Sequence, residues 1–178
     1  DIFTSENEMD FFLENICNNK WNVEQDAGRP ISEGEKELIL KYPKYTKEIK
    51  LYYPNHRKMI KNTYKISIEI LTELTFQKYP CYVLSNWSSE TFVGMKDEYR
   101  FLKKFHGILI SGEDKLVKPD PKIYKLAISR FNLIPENSVF IDDKLENIKA
   151  AQELNFNVIH LLDPNSIKEK IRSFINHL

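Results

Sequence analysis

With 178 residues, the chain is long enough for one domain, or for a core carrying a sizeable insertion. Hydrophobic residues make up 42% and charged residues 29%, ordinary shares for a globular protein, and 26 basic side chains balance 26 acidic ones. A formal charge of zero excludes a broad field that would attract nucleic acid or an anionic membrane, and no apolar run approaches the length of a membrane span.

Residues 1–78 read as helices joined by loops. Met9, Phe12, Leu13 and Ile16 recur at helical spacing. The polar stretch from Asn22 to Pro30, with Gly28 inside it, reads as a loop. Ser32-Glu33-Gly34-Glu35 has the form of a capping box ahead of Leu38, Ile39 and Leu40. A further helix is predicted from Tyr64 to Gln77, with Ile66, Ile70, Leu71 and Leu74 as its apolar stripe. Cys17 and Cys81 lie far apart, without neighbours at metal-site spacing. They read as small buried hydrophobes in a reducing compartment, and without a signal-peptide pattern the prediction is a cytoplasmic protein.

From Pro80 the pattern changes, and residues 79–178 read as an α/β core. Short apolar runs at Cys81–Leu84, Gly107–Ile110, Val139–Ile141 and Val158–Leu162 alternate with helical stretches at Ser88–Lys104, Pro121–Phe131, Leu145–Leu154 and Ser166–Ile175. Strand and helix in alternation predict a Rossmann-like parallel sheet with crossover helices. The runs are continuously apolar, as strands covered on both faces require.

Polar chemistry follows each of the first three strands. The first leads into Ser85-Asn86, the second through Ser111-Gly112-Glu113 to Lys118-Pro119-Asp120-Pro121, and the third into Asp142-Asp143. Open parallel sheets bind ligands at these carboxyl ends. A hydroxyl with an amide, a lysine and a paired acid suit a phosphate and its cation. Taken singly, each has a plainer reading. Ser85-Asn86 would be a turn, Lys118 a solvated lysine, Asp120 the cap of the helix opened by Pro121, and Asp142 or Asp143 a helix cap. One acid suffices for a cap, and the second points to a hard cation such as Mg²⁺.

The order of these segments resembles the haloacid dehalogenase superfamily. Leu84-Ser85-Asn86 is similar to its second motif, Lys118 to Tyr124 to its third, and Phe140 to Asn147 to its fourth, while Ser111-Gly112-Glu113 fits the lead-in. Response-regulator receiver domains use similar groups, but with acids first and lysine last. The resemblance implies that residues 1–78 are an inserted helical cap. It also implies that Ser85 and Asn86 bind a transferring phosphoryl group, that Lys118 bridges nucleophile and phosphate, that Asp143 ligates Mg²⁺ directly, and that Asp142 supports it through water. The substrate so implied is a small phosphorylated metabolite. Arg29, between two cap helices, is a candidate contact for a sugar or second anionic group, against a plain reading as a solvated loop arginine.

The family's first motif, an Asp-x-Asp after an early strand that supplies the nucleophile, has no counterpart here. The expectation is therefore a fragment lacking its first strand, which in family topology lies between the strands ending at Ser85 and Asp142. Such a fragment would be inactive and poorly stable. The alternatives are a dehalogenase-like hydrolase, whose fourth motif is usually less acidic, and a non-catalytic phosphate-binding or regulatory pseudoenzyme.

Overall fold

The computed structural model describes residues 2–60 and 62–175. The chain divides into two compact units. The first comprises Asp1–Lys61, Asn86–Val93 and Ile110–Val117, and the second comprises Asn62–Ser85, Gly94–Leu109 and Lys118–Leu178. Among the described residues, no helix is long and apolar enough to cross a membrane.

In the first unit, helices α1 (Glu6–Asn15), α2 (Asn19–Asp26), α3 (Ile31–Lys41), α4 (Thr46–Tyr52) and α5 (His56–Met59) follow one another. Ser5 caps α1 by accepting from the Glu8 amide at 3.2 Å, and Asn18 caps α2 by accepting from the Trp21 amide at 2.9 Å. Phe12, Ile16, Cys17, Trp21, Leu38, Ile49 and Tyr53 form the core. Met9 and Leu13, on the same predicted stripe, remain exposed.

Two local expectations fail here. The polar run starting at Asn22 is helical as far as Asp26, because the Asn18 cap starts a helix whose buried face pairs Trp21 with Gln25. Gln25 is fully buried, yet its amide donates to the Trp21 carbonyl at 2.7 Å, so a residue that reads as loop behaves as core. The capping box also fails, since α3 already begins at Ile31 and Ser32 lies inside it. The Ile31 amide instead donates to the Glu90 carboxylate at 2.8 Å.

In the second unit, α6 (Lys65–Phe76) packs Ile70 and Leu74 against Ile159, Ile167 and Ile171. Each strand spans four residues: β1 (Tyr82–Ser85), β2 (Gly107–Ile110), β3 (Val139–Asp142) and β4 (Asn157–His160). They pair in twos, β1 with β2, and β3 parallel to β4 with Val139 opposite Asn157 and Asp142 opposite His160. Gly107 is needed where β2 starts. A Cβ there would lie 2.5 Å from the Phe131 ring, which stacks on Tyr82 at 4.6 Å. The predicted long helix at Ser88–Lys104 is broken into α7 (Ser89–Phe92), which belongs to the first unit, and α8 (Met95–Glu98) with a 3₁₀ turn, which belong to the second. Gly94, at φ 80°, sits between the two short helices in a left-handed conformation that glycine adopts without a Cβ clash. After α9 (Ser111–Asp114), which belongs to the first unit, the second unit resumes with α10 (Pro121–Phe131), capped by Asp120, which accepts from the Lys122 amide at 2.8 Å. Helices α11 (Leu145–Gln152) and α12 (Ile167–Arg172) complete the unit.

Candidate active site

Within the second unit, the ends of β1 and β3 converge on Lys118. Its ammonium donates to the Leu84 carbonyl at 2.8 Å and to Asp142 Oδ2 at 2.7 Å. The lysine side chain is 10% exposed and the aspartate 5%, so the pair is largely withdrawn from water. The ammonium also lies 5.6 Å from the centroid of the Phe140 ring, within cation–π reach.

The other carboxylate oxygen, Asp142 Oδ1, accepts from the Lys144 amide and from Asn147 Nδ2, each at 2.9 Å. Burial alone would raise the Asp142 pKa. The Lys118 hydrogen bond and charge outweigh it, helped by the Lys144 and Asn147 donors, and hold the carboxyl below its ordinary 3.8. The plain cap reading does not describe this geometry, because the N-cap residue of α11 is Lys144, without a side-chain bond.

Asn147 has no role in the sequence reading, yet it is buried and orients Asp142 from the first turn of α11. Its backbone carbonyl accepts from the buried Tyr124 hydroxyl at 3.0 Å. The signal for it was its spacing, one helical turn beyond the paired acid. Among the described residues, the Asn147 side-chain oxygen finds no hydrogen-bond partner.

Ser85 closes β1 and is half-buried, and Asn86 follows it as the first residue of a segment belonging to the first unit. Asp143 directs its side chain into an exposed position, while its backbone carbonyl meets His160 Nε2 at 2.9 Å. Ser85, Lys118, Asp142 and Asp143 thus belong to one unit. Arg29 belongs to the other, where its donors reach Gln25 Oε1 at 2.6 Å, Glu37 at 2.6 Å and the Trp21 carbonyl at 3.5 Å.

The Glu37 pair is exposed and contributes little, but the Gln25 oxygen is fully buried. Arg29→Ala would strip that acceptor, so a loss of about 1–3 kcal/mol is expected in urea denaturation. An unchanged midpoint would show that water replaces the guanidinium there.

The donor chemistry bears on Mg²⁺, which takes one or two carboxylates plus waters and phosphate oxygens. Among the described residues, no three or more acidic, histidine or cysteine side chains gather as a cage. Both Asp142 oxygens are engaged by protein donors, which leaves Asp143 as the carboxylate open to a cation. An exposed carboxylate next in sequence to one held by protein donors is a donor set that Mg²⁺ accepts.

Over 106 residues the chain is 27% identical to the sesquiterpene phosphatase astK of Aspergillus oryzae, covering 60% of this chain and 54% of that protein. Over 67 residues it is 34% identical to a phosphorylated carbohydrates phosphatase of Thermotoga maritima, covering 35% and 31%. The chain therefore spans about half, or less, of the length of these relatives. A HAD family enzyme from Bacteroides thetaiotaomicron, solved with magnesium and inorganic phosphate, superposes with a TM-score of 0.65 at 25% identity, covering 85% of this chain and 77% of that one. The sequence pattern of haloacid dehalogenase-like hydrolases matches residues 17–161, and with the motif-bearing strand ends this establishes that the chain belongs to that family.

Proposed function

We propose that the whole protein is a Mg²⁺-dependent phosphatase of a small phosphorylated metabolite, acting in the cytoplasm. The observation that carries this reading is the withdrawn Lys118–Asp142 pair with the exposed Asp143 carboxylate beside it. The astK and Thermotoga relatives are phosphatases, and the Bacteroides enzyme holds magnesium and phosphate. These relatives support phosphoryl transfer as the class of reaction.

Ser85, with Asn86, donates hydrogen bonds to the phosphoryl oxygens, and Lys118 offers a fixed positive charge to the same group. Asp143 would ligate Mg²⁺, with Asp142 behind it, and the cation would supply charge neutralisation on the phosphate. Hydrolysis then passes through an aspartyl-phosphate. A carboxylate oxygen bonds to phosphorus as the substrate alkoxide leaves and takes up a proton, and water later breaks the new P–O bond to release phosphate. No Asp-x-Asp follows any of β1 to β4, so this reading assigns the nucleophile to chain outside residues 1–178.

The test is hydrolysis of a generic phosphomonoester by the full-length protein. Activity should vanish with a chelator, return with Mg²⁺, and fall at least about 100-fold in Asp143→Asn, the scale of losing a charge-stabilising group. Activity indifferent to chelation removes the metal role and favours the dehalogenase chemistry. No hydrolysis, with phosphate still bound, favours a non-catalytic phosphate-binding protein.

A further inference from the structure

We infer that Ser111 is a positioning residue whose hydroxyl fixes the Asn86–Trp87 peptide and couples it to the Asp26–Gly28 segment. The functional part of this inference rests on the reading of Ser85-Asn86 as phosphoryl-binding. All three segments belong to the first unit.

Ser111 is fully buried, and a buried hydroxyl needs partners. Its one proton has two acceptors within reach, the Asp26 carbonyl at 2.6 Å and the Trp87 carbonyl at 3.4 Å, and the shorter bond takes it. A lone pair of the same oxygen accepts from the Trp87 amide at 2.9 Å. The neighbouring Gly112 amide donates to the Trp87 carbonyl at 3.1 Å, so Trp87 is held on both sides.

Because a peptide unit is planar, fixing the Trp87 N–H also fixes the carbonyl of Asn86. At the other end of the contact, Asp26 is the last residue of α2, and its carbonyl is among those that a helix leaves without an internal partner. The Ser111 hydroxyl thus ends one helix and orients the loop that follows β1.

Two glycines make the approach possible. A Cβ on Gly112 would lie 2.4 Å from the Ser89 amide nitrogen and 2.8 Å from the Trp87 carbonyl. Gly28 has φ 93°, and a Cβ there would lie 2.8 Å from Lys115 Cγ and 3.1 Å from the Gly112 carbonyl. Displacement at Gly28 therefore pushes on Gly112, and through it on Trp87, without touching the loop directly.

The experiment uses the full-length protein as wild type, Ser111→Ala, Ser111→Cys and Gly28→Ala. Amide exchange at Trp87 is compared with that at Leu161, whose amide donates to the Asp142 carbonyl at 2.9 Å. Ser111→Ala should accelerate Trp87 exchange about tenfold or more while Leu161 holds, and weaken inhibition by inorganic phosphate about tenfold, as expected for loss of a buried hydrogen bond. Ser111→Cys, of similar size and weaker bonding, should fall between, and it carries the same readout if the alanine variant does not fold. Gly28→Ala should accelerate Trp87 exchange despite its distance in the chain.

Unchanged Trp87 exchange in both Ser111 variants, or in Gly28→Ala, overturns the coupling. Faster exchange with unaltered phosphate inhibition overturns the positioning role. A wild-type protein that binds no phosphate at all removes the phosphatase reading, while the exchange data still decide the coupling.

Discussion

Lys118→Ala is expected to cost about 3–5 kcal/mol of stability, because it leaves the Asp142 carboxylate buried without its cation. Urea denaturation near neutral pH reads this directly. The double replacement Lys118→Met with Asp142→Asn should recover most of the loss, since it removes both charges from a site where neither is well hydrated. The deficit should also shrink in acid. Asp142 in the folded protein titrates below its ordinary 3.8, so its pairing contributes fully above that value and is lost as pH falls through the lower folded value. Wild type and Lys118→Ala should therefore converge as pH drops below about 4. A deficit under about 1 kcal/mol at neutral pH would mean that water reaches the carboxylate, as at exposed pairs.

Tyr124→Ala should be comparably damaging, at about 3–5 kcal/mol, because a fully buried ring is deleted. That ring packs edge-on against Phe140 at 5.4 Å and donates from its hydroxyl to the Asn147 carbonyl. Tyr124→Phe separates the two roles, keeping the packing and losing the hydrogen bond, at about 0.5–1.5 kcal/mol. Thermal unfolding of both variants resolves the split. In the full-length protein, Tyr124→Phe should also lower phosphatase activity, because the first turn of α11 carries Asn147 and so aims Asp142. Equal losses in the two variants would show that the hydroxyl, rather than the ring, holds α10 to α11.

The strand ends were legible in the sequence because continuous apolar runs ending in polar chemistry leave few alternatives. Val139–Ile141 before Asp142 is the clearest case. The order of the motifs placed Lys118 and Asp142 at neighbouring strand ends, but their direct pairing appears only in the folded chain. Other features depended on information that hydropathy does not carry. Gln25 is polar by composition and core by burial, because its hydrogen bonds close on Trp21 and Arg29. The break at Gly94 came from one left-handed residue inside an otherwise helical pattern. Asn147 and Ser111 stood inside the quoted motifs without a role of their own, because their partners, Asp142 and the Asp26 and Trp87 backbone, are defined only once distant segments meet.

The carboxylate at the head of α3 bears on the order of events during folding. No side chain close in sequence caps α3, and its Ile31 amide finds an acceptor 59 positions further on. During synthesis that acceptor does not yet exist when Ile31 to Lys41 emerge, and starting a helix without a cap is the costly step. The first turn of α3 therefore sets late, after a long loop has closed. Weakening the Glu90 contact should then act mainly by speeding the loss of the folded unit, leaving the rate of its formation almost untouched.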